Sequence, residues 1–247
     1  MACVSQALQV SDVFQDAACD IFAAVGGGQP QVTYVDGKLR PKNDRVRDNF
    51  ETSSKGKSDI VLSDYDAFVV VAVGLHAVRE QFPHPFKSVV PSAIGGHLYV
   101  PPDALGARTY VSAACLRTVI RSALLKHTAF QALRDVVTHS TAPVVVAPCP
   151  VPSEALLHPS EDVFAKCHGP DGWKLWANWS RIHDEELAAI LQSLPRAVQF
   201  IAQAPQTMGV RGLSNWHFAA DDPWHMNAAY GSILLRQIAD ALESAKR

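Results

Sequence analysis

Four short runs of apolar, largely β-branched residues recur along the chain, at residues 20–25, 67–73, 142–147 and 198–202. The second and third are continuous valine-rich runs, which are typical of strands that helices cover on both faces of a parallel sheet. Each run is followed by glycine or proline. Loops at the carboxyl ends of parallel strands are where ligands bind in open α/β sheets, so these loops are the first place to look for a site.

Between the runs, apolar residues recur at helical spacing. This spacing predicts helices over 5–18, over 112–139, over 184–194 with a start a few residues earlier, and from Met226 to Leu242. Alternating strands and helices predict one α/β domain over residues 1–247. The expected architecture is a three-layer α/β/α sandwich with a mostly parallel, doubly wound sheet.

Two insertions interrupt the alternation. A small hairpin is predicted at residues 32–39, because Asp36-Gly37 is a favoured two-residue turn. Residues 82–106 are rich in proline and glycine and predict an irregular loop, with a short strand at 97–100. Three tryptophans that follow at close spacing either line the rim of a pocket or pack in the core. They are Trp173, Trp176 and Trp179.

Composition and charge exclude several classes of function. The formal net charge is -2 and no acidic or basic block occurs, so neither nucleic acid nor an anionic membrane is an expected partner. No signal peptide and no spanning apolar run is visible, which predicts a cytoplasmic protein. The five cysteines include no Cys-x-x-Cys pair, so neither a zinc ribbon nor a thioredoxin-type site is expected.

The candidate chemistry lies at Asp222-Pro-Trp-His225, between the last predicted strand and the last helix. There a carboxylate can hold one imidazole nitrogen while the other nitrogen faces a nucleophile over the edge of the sheet. We therefore interpret His225 as a general base and Asp222 as the group that orients it. The alternative is a helix start, with Asp222 as the N-cap and Pro223 at the first helical position.

This segment, with Gly231 and an aliphatic helix after it, resembles the closing Asp-x-x-His block of the SGNH (GDSL-type) hydrolases. The resemblance implies an ester hydrolase with a glycine block after one strand and a Gly-x-Asn block after another. Residues 26–28 are all glycine and match the first of these blocks, and Gly74 matches the second. His76 stands where the family has asparagine. By resemblance, backbone N–H groups near Gly27 and Gly74 stabilise an oxyanion, and His76 either donates a further hydrogen bond or is structural.

The nucleophile of that family is the largest departure. No Gly-Asp-Ser or Gly-Asn-Ser occurs in the 247 residues, and the four residues before Ser5 are too few for the central strand that carries the serine. The first central strand of the family's sheet is therefore expected to be missing here. We expect residue 1 to be internal to a longer protein with roughly 10–15 further residues, enough for a strand and its turn. The other hypothesis is a relative that has lost its nucleophile and keeps the pocket for binding.

Rival chemistry has weaker signals. Cys149 lies between two prolines and is either a thiol nucleophile or part of a packed turn, and the adjacent Cys167 and His168 are poorly placed to act together. The histidines His84, His97, His217 and His225 have no metal-ligand spacing, and residues 26–28 lack the dinucleotide fingerprint. No metal or cofactor is therefore expected.

The sequence predicts a serine-esterase-like hydrolase of O-acyl esters, with a small-molecule or saccharide ester as substrate. As given, the chain is expected to be hydrolytically inert, because its nucleophile is not seen. The alternative function is an inactive binding or assembly protein of the same fold, for example in surface-polysaccharide metabolism.

Overall fold

The computed structural model describes residues 2–23, 31–73, 89–91, 109–111, 113–154, 172–221 and 225–245. Its strands are β1 (Val32–Val35), β2 (Lys38–Pro41), β3 (Ile60–Val61), β4 (Phe68–Val73), β5 (Val89–Pro91), β6 (Thr109–Val111), β7 (Val144–Pro148) and β8 (Gln199–Phe200). Its α-helices are α1 (Ala2–Val10), α2 (Asp44–Ser53), α3 (Ala113–Lys126), α4 (Thr128–His139), α5 (Gly172–Gln192) and α6 (Ala228–Ala245). The protein is therefore mixed α/β, as the alternation of periods predicted.

The strands form one antiparallel sheet and two parallel ones within the described part of the chain. β1, β2 and β3 form the antiparallel sheet, and β5 pairs with β6 in a small parallel sheet. The parallel sheet at the centre of the fold has the order β4-β7-β8, with Phe68 opposite Val144 and Val145 opposite Gln199. Three of the four predicted strand runs are thus confirmed. The short strand predicted at 97–100 lies outside the described residues.

Strand β7 is covered on both faces, as its unbroken valine run predicted. All five of its residues are buried, and neighbouring side chains point to opposite faces. Val144 and Val146 join a cluster with apolar side chains of α3, α4 and α5, of α2 and of the hairpin sheet. Val145 and Ala147 join a second cluster with side chains of α1 and α6. Helices therefore pack against both faces of this strand.

The predicted hairpin is present, with β1 and β2 joined at Asp36-Gly37. Both turn residues have positive φ, 49° for Asp36 and 79° for Gly37, which is the backbone of the type I′ turn that fits the twist of two strands.

The first apolar run was wrongly predicted to begin a strand, because Asp20, Ile21, Phe22 and Ala23 form none. These residues instead contact helix α2. The Ala23 N–H donates to Ser53 Oγ at 3.0 Å, and the Phe22 ring packs edge-on against Phe50. The remaining two residues of the run, 24 and 25, lie outside the described residues.

Two helix predictions were wrong in their bounds. The helix predicted over 5–18 is α1, which ends at Val10 and gives way to turns. The helix predicted over 112–139 is two helices, α3 and α4, divided at buried His127. The His127 side chain accepts a hydrogen bond from the Ala129 N–H at 3.2 Å and so caps α4. The series of helical hydrogen bonds is therefore not continuous from α3 to α4. The prediction for α6 is confirmed to within three residues. The prediction for α5 is confirmed near its end, at Gln192, but its start was wrong, because the helix begins at Gly172, twelve residues before 184.

Helices α1 and α6 pack closely at one glycine. A Cβ atom added to Gly231 would lie 2.2 Å from the Cys3 carbonyl oxygen and 2.8 Å from the Ala7 Cβ atom. Only a residue without a side chain permits this approach. The glycine six residues after His225 therefore has a packing role, which holds α1 against the helix that follows the candidate site.

Candidate active site

His225 lies two residues before Asn227, the residue that caps α6. The main chain of His225 is held in place by the loop before it. The Ala220 N–H donates to the His225 carbonyl at 2.8 Å, and Ala219 forms an antiparallel bridge with Met226. Met226 is buried, whereas His225 is exposed. His225 therefore lies exposed on a main chain that is held by the loop before it.

Asn227 connects the start of α6 to the loop that precedes it. Its Oδ1 accepts from the Tyr230 N–H at 3.2 Å, and its carbonyl accepts the first helical hydrogen bond, from Gly231 at 3.1 Å. Its Nδ2 donates to the carbonyls of His217 at 2.8 Å and Ala219 at 3.1 Å. One side chain thus caps the helix and fixes the loop segment that lies beside His225.

This cap overturns the alternative interpretation of Asp222. Helix α6 begins at Ala228, and its N-cap is Asn227, five positions after Asp222. The reading in which Asp222 is the N-cap of the last helix and Pro223 its first residue is therefore wrong.

Replacement of Asn227 by alanine tests its double role. We expect a loss of about 1–2 kcal/mol in unfolding free energy in urea, because the cap and two loop hydrogen bonds disappear together. Asn227→Asp is the matched control, since its carboxylate still accepts from Tyr230 but donates nothing. The aspartate variant should retain most of the stability yet show faster hydrogen exchange at the Ala220 amide. Equal exchange in all three proteins would contradict the tie between Asn227 and the loop.

The other predicted site residues lie outside the described residues. They are Asp222, Gly27, Gly74 and His76. The structure places only the elements that lead to them. Strand β4 ends at Val73, immediately before Gly74, and Asp221 is the last described residue before Asp222.

A buried polar network, which sequence reasoning missed, joins the loops at the carboxyl ends of β7 and β8. Gln203 Oε1 accepts from the Val151 N–H at 2.9 Å, and Gln203 Nε2 donates to Ser214 Oγ at 2.8 Å and to Thr207 Oγ1 at 3.1 Å. Ser214 Oγ in turn donates to the Val151 carbonyl. Every polar atom of the Gln203 amide is satisfied, so the network clamps the two loops at the edge where ligands bind. No local motif signals it, because Val151 and Gln203 are distant in the chain.

A second missed feature combines the residue types of a catalytic triad on one helix. On α5, His183 Nδ1 lies 2.9 Å from Asp184 Oδ1, and Ser180 lies one turn earlier. However, Ser180 Oγ and His183 Nε2 have no hydrogen-bond partner within the described part of the chain, and so do not bond each other. The two side chains are only 3% and 0% exposed. A buried serine that does not contact its histidine is not an activated nucleophile, so we assign these residues to the interior of the fold.

Cys149 follows β7 at the same edge and is half-buried against the larger apolar cluster. This packing agrees with the packed-turn interpretation of the residue.

Burial raises the pKa of the nearby Tyr230 phenol, and Cys3, Cys149 and Asp184 raise it further. Tyr230 therefore stays a neutral hydroxyl at ordinary pH.

Comparison of the chain with family models, with curated proteins and with solved structures finds no match. Among the described residues, no group of three or more histidine, cysteine, aspartate or glutamate side chains is arranged to hold a metal ion. Nor does the described part of the chain contain a helix long and apolar enough to cross a membrane.

Proposed function

We propose that this protein is a serine-esterase-like hydrolase of O-acyl esters, with an acylated carbohydrate as the favoured substrate. The observation that carries the proposal is the exposed His225 side chain on a hydrogen-bonded main chain, between the last parallel strand and α6. The revised N-cap supports it further, since Asp222 is not needed to start the helix and is proposed to orient His225.

The proposed architecture is the three-layer sandwich of the SGNH type, with a further strand next to β4. Within the described part of the chain β4 pairs only with β7, and its apolar side chains are less covered than those of β7. Val69, the second residue of the strand, is 40% exposed. A long apolar strand at an open sheet edge is unfavourable, and another parallel strand would satisfy its backbone groups. We propose that this strand delivers the serine.

The proposed reaction is acyl transfer through the serine followed by hydrolysis. His225 accepts the serine proton as the hydroxyl oxygen attacks the ester carbonyl, and Asp222 stabilises the imidazolium. Backbone N–H groups near Gly27 and Gly74, with His76 as an additional donor, stabilise the oxyanion. The imidazolium then protonates the leaving alcohol. Water, deprotonated by His225, attacks the acyl-enzyme and regenerates the serine.

Labelling with a fluorophosphonate, followed by peptide mapping, tests the proposal. The chain of residues 1–247 should be neither labelled nor active on p-nitrophenyl acetate. Where coding sequence precedes residue 1 in frame, the protein translated with it should be labelled on a serine next to a glycine and should turn over the ester. Label on Ser180 or on another serine within residues 1–247 would contradict the proposed nucleophile.

The alternative function is a binding or assembly protein that uses the same cleft without hydrolysis. The absence of a Gly-Asp-Ser or Gly-Asn-Ser block from the sequence favours it. The binding function replaces the enzymatic one if the longer version is folded but inert toward a panel of acylated sugars and lipids. It also does so if a stop codon stands directly before residue 1 in the reading frame.

A further inference from the structure

Trp216 is exposed on the loop that lies beside His225. It begins a short 3₁₀ turn, Trp216–Phe218, and 68% of its surface is accessible to solvent. The indole is the largest apolar side chain in proteins and contributes most to stability when buried. Here it contributes little burial, so stability of the fold does not explain its position.

The main chain under this indole is rigidly bonded. Asn215 Oδ1 accepts from the His217 N–H at 2.9 Å, and the Asn215 carbonyl accepts from the Phe218 N–H at 3.0 Å. The Asn215 N–H donates to the Thr207 carbonyl at 2.9 Å, which ties the turn to the loop clamped by Gln203. The main chain that carries the exposed ring is therefore held at a defined place, which lowers the entropy lost when the ring binds a ligand.

The turn is also close to the candidate catalytic histidine. The Asn227 N–H donates to the Phe218 carbonyl at 2.9 Å, and the Ala220 N–H donates to the His225 carbonyl at 2.8 Å. Residues after Trp216 thus run antiparallel to those around His225. Ala220 is four positions after Trp216, so these two hydrogen bonds place the turn that carries Trp216 next to the segment that holds His225.

The surroundings of the indole are polar on one side. The His217 imidazole stands nearly perpendicular to it, at 87° with ring centroids 6.2 Å apart, and is itself exposed. A flat apolar face next to a hydrogen-bonding edge matches a pyranose ring, which has C–H bonds on its faces and hydroxyl groups at its rim. One exposed indole is much too small for a stable protein–protein interface, which buries about 800 Å² on each partner.

We propose that Trp216 is the stacking platform for a pyranose ring of the substrate, with His217 at its polar edge. The proposal rests on the proposed function, because it names the sugar-binding part of the same site. It assigns the platform to a sugar unit close to the acylated one, so that stacking holds the ester near His225.

Saturation-transfer NMR on the full chain tests the platform without any need for turnover. The probes are O-acetylated oligosaccharides with glucose, mannose, galactose or N-acetylhexosamine backbones, and their deacetylated forms. At least one backbone should bind, with the strongest transfer to ring C–H protons. Trp216→Ala should weaken that binding about 10-fold, as expected for the loss of an aromatic stacking contact, while Trp216→Phe should restore most of it. Val210→Ala, at a 71% exposed position in the same loop, is the matched control and should change nothing.

The outcomes separate this inference from the proposed function. Sugar binding that depends on Trp216, without ester turnover in any version of the protein, would support the platform and overturn the hydrolase. Turnover of p-nitrophenyl acetate with no sugar binding, or with sugar binding that Trp216→Ala does not weaken, would support the hydrolase and overturn the platform. A change of oligomeric state on Trp216→Ala, without sugar binding, would also overturn it in favour of a protein contact.

Discussion

Gly231→Ala is expected to destabilise the protein by roughly 2–3 kcal/mol, a large fraction of the stability of a typical domain. The new Cβ would lie 2.2 Å from the Cys3 carbonyl oxygen and 2.7 Å from the Cys3 carbonyl carbon. These are main-chain atoms of α1, so no side-chain rotation relieves the contact and the two helices must separate. Alanine favours a helix over glycine by about 1 kcal/mol, and this gain offsets only part of the cost.

Urea denaturation of Gly231→Ala and of Ser232→Ala measures this effect. Ser232 is the next residue on α6 and is half-buried, and its hydroxyl donates only to the Ala228 carbonyl within the helix. Its replacement should therefore change the unfolding free energy by less than about 1 kcal/mol. Equal stability of the two variants would mean that α1 does not pack on α6 at Gly231.

His225→Ala should lower the kcat for p-nitrophenyl acetate by about 10³- to 10⁴-fold or more in the form of the protein that reacts with a fluorophosphonate. Without the imidazole the serine loses its general base, and the leaving alcohol loses its proton donor. The main chain should keep its place, because the Ala220 N–H donates to the His225 carbonyl, which the alanine variant retains.

The control for this prediction is His139→Ala. His139 is an exposed histidine at the end of α4, just before β7 and so toward the opposite edge of the sheet, and its ring stacks on Tyr34 at 3.7 Å. It should keep the kcat of the unaltered protein. Retention of activity in His225→Ala would remove His225 from the mechanism, whatever the nucleophile proves to be.

Much of the secondary structure could be predicted because the signals are local. The Asp36-Gly37 turn requires positive φ at two adjacent residues, and few other pairs adopt it. The valine run of β7 is buried on both faces because helices cover both, as continuous apolar runs indicate. These features depend on residues that are neighbours in the chain.

One error arose where a local cap interrupted the helical pattern, and another where distant contacts outweighed the strand pattern. The apolar stripe continues from α3 into α4, but the step from Leu124 to Phe130 is not a helical one, and buried His127 caps a new helix there. Residues 20–23 have the pattern of a strand, yet the Asp20 carboxylate accepts hydrogen bonds from Lys57 Nζ and from the Tyr65 hydroxyl. Those bonds hold the segment near residues that are 37 and 45 positions away, which no window of sequence contains.

The sequence by itself determined the α/β class, the hairpin, and the position of His225 between the last strand and the last helix. Only the tertiary structure decided that Asn227 rather than Asp222 caps α6, and that Gly231 is needed for contact with α1. It also showed that Trp216 stays exposed on a rigid turn. The hydrophobic period and the turn chemistry are carried by adjacent residues, whereas close helix contacts and exposure depend on which distant segments meet. The choice of capping residue depends on the path of the preceding loop, because Asn227 Nδ2 also donates to the carbonyls of His217 and Ala219.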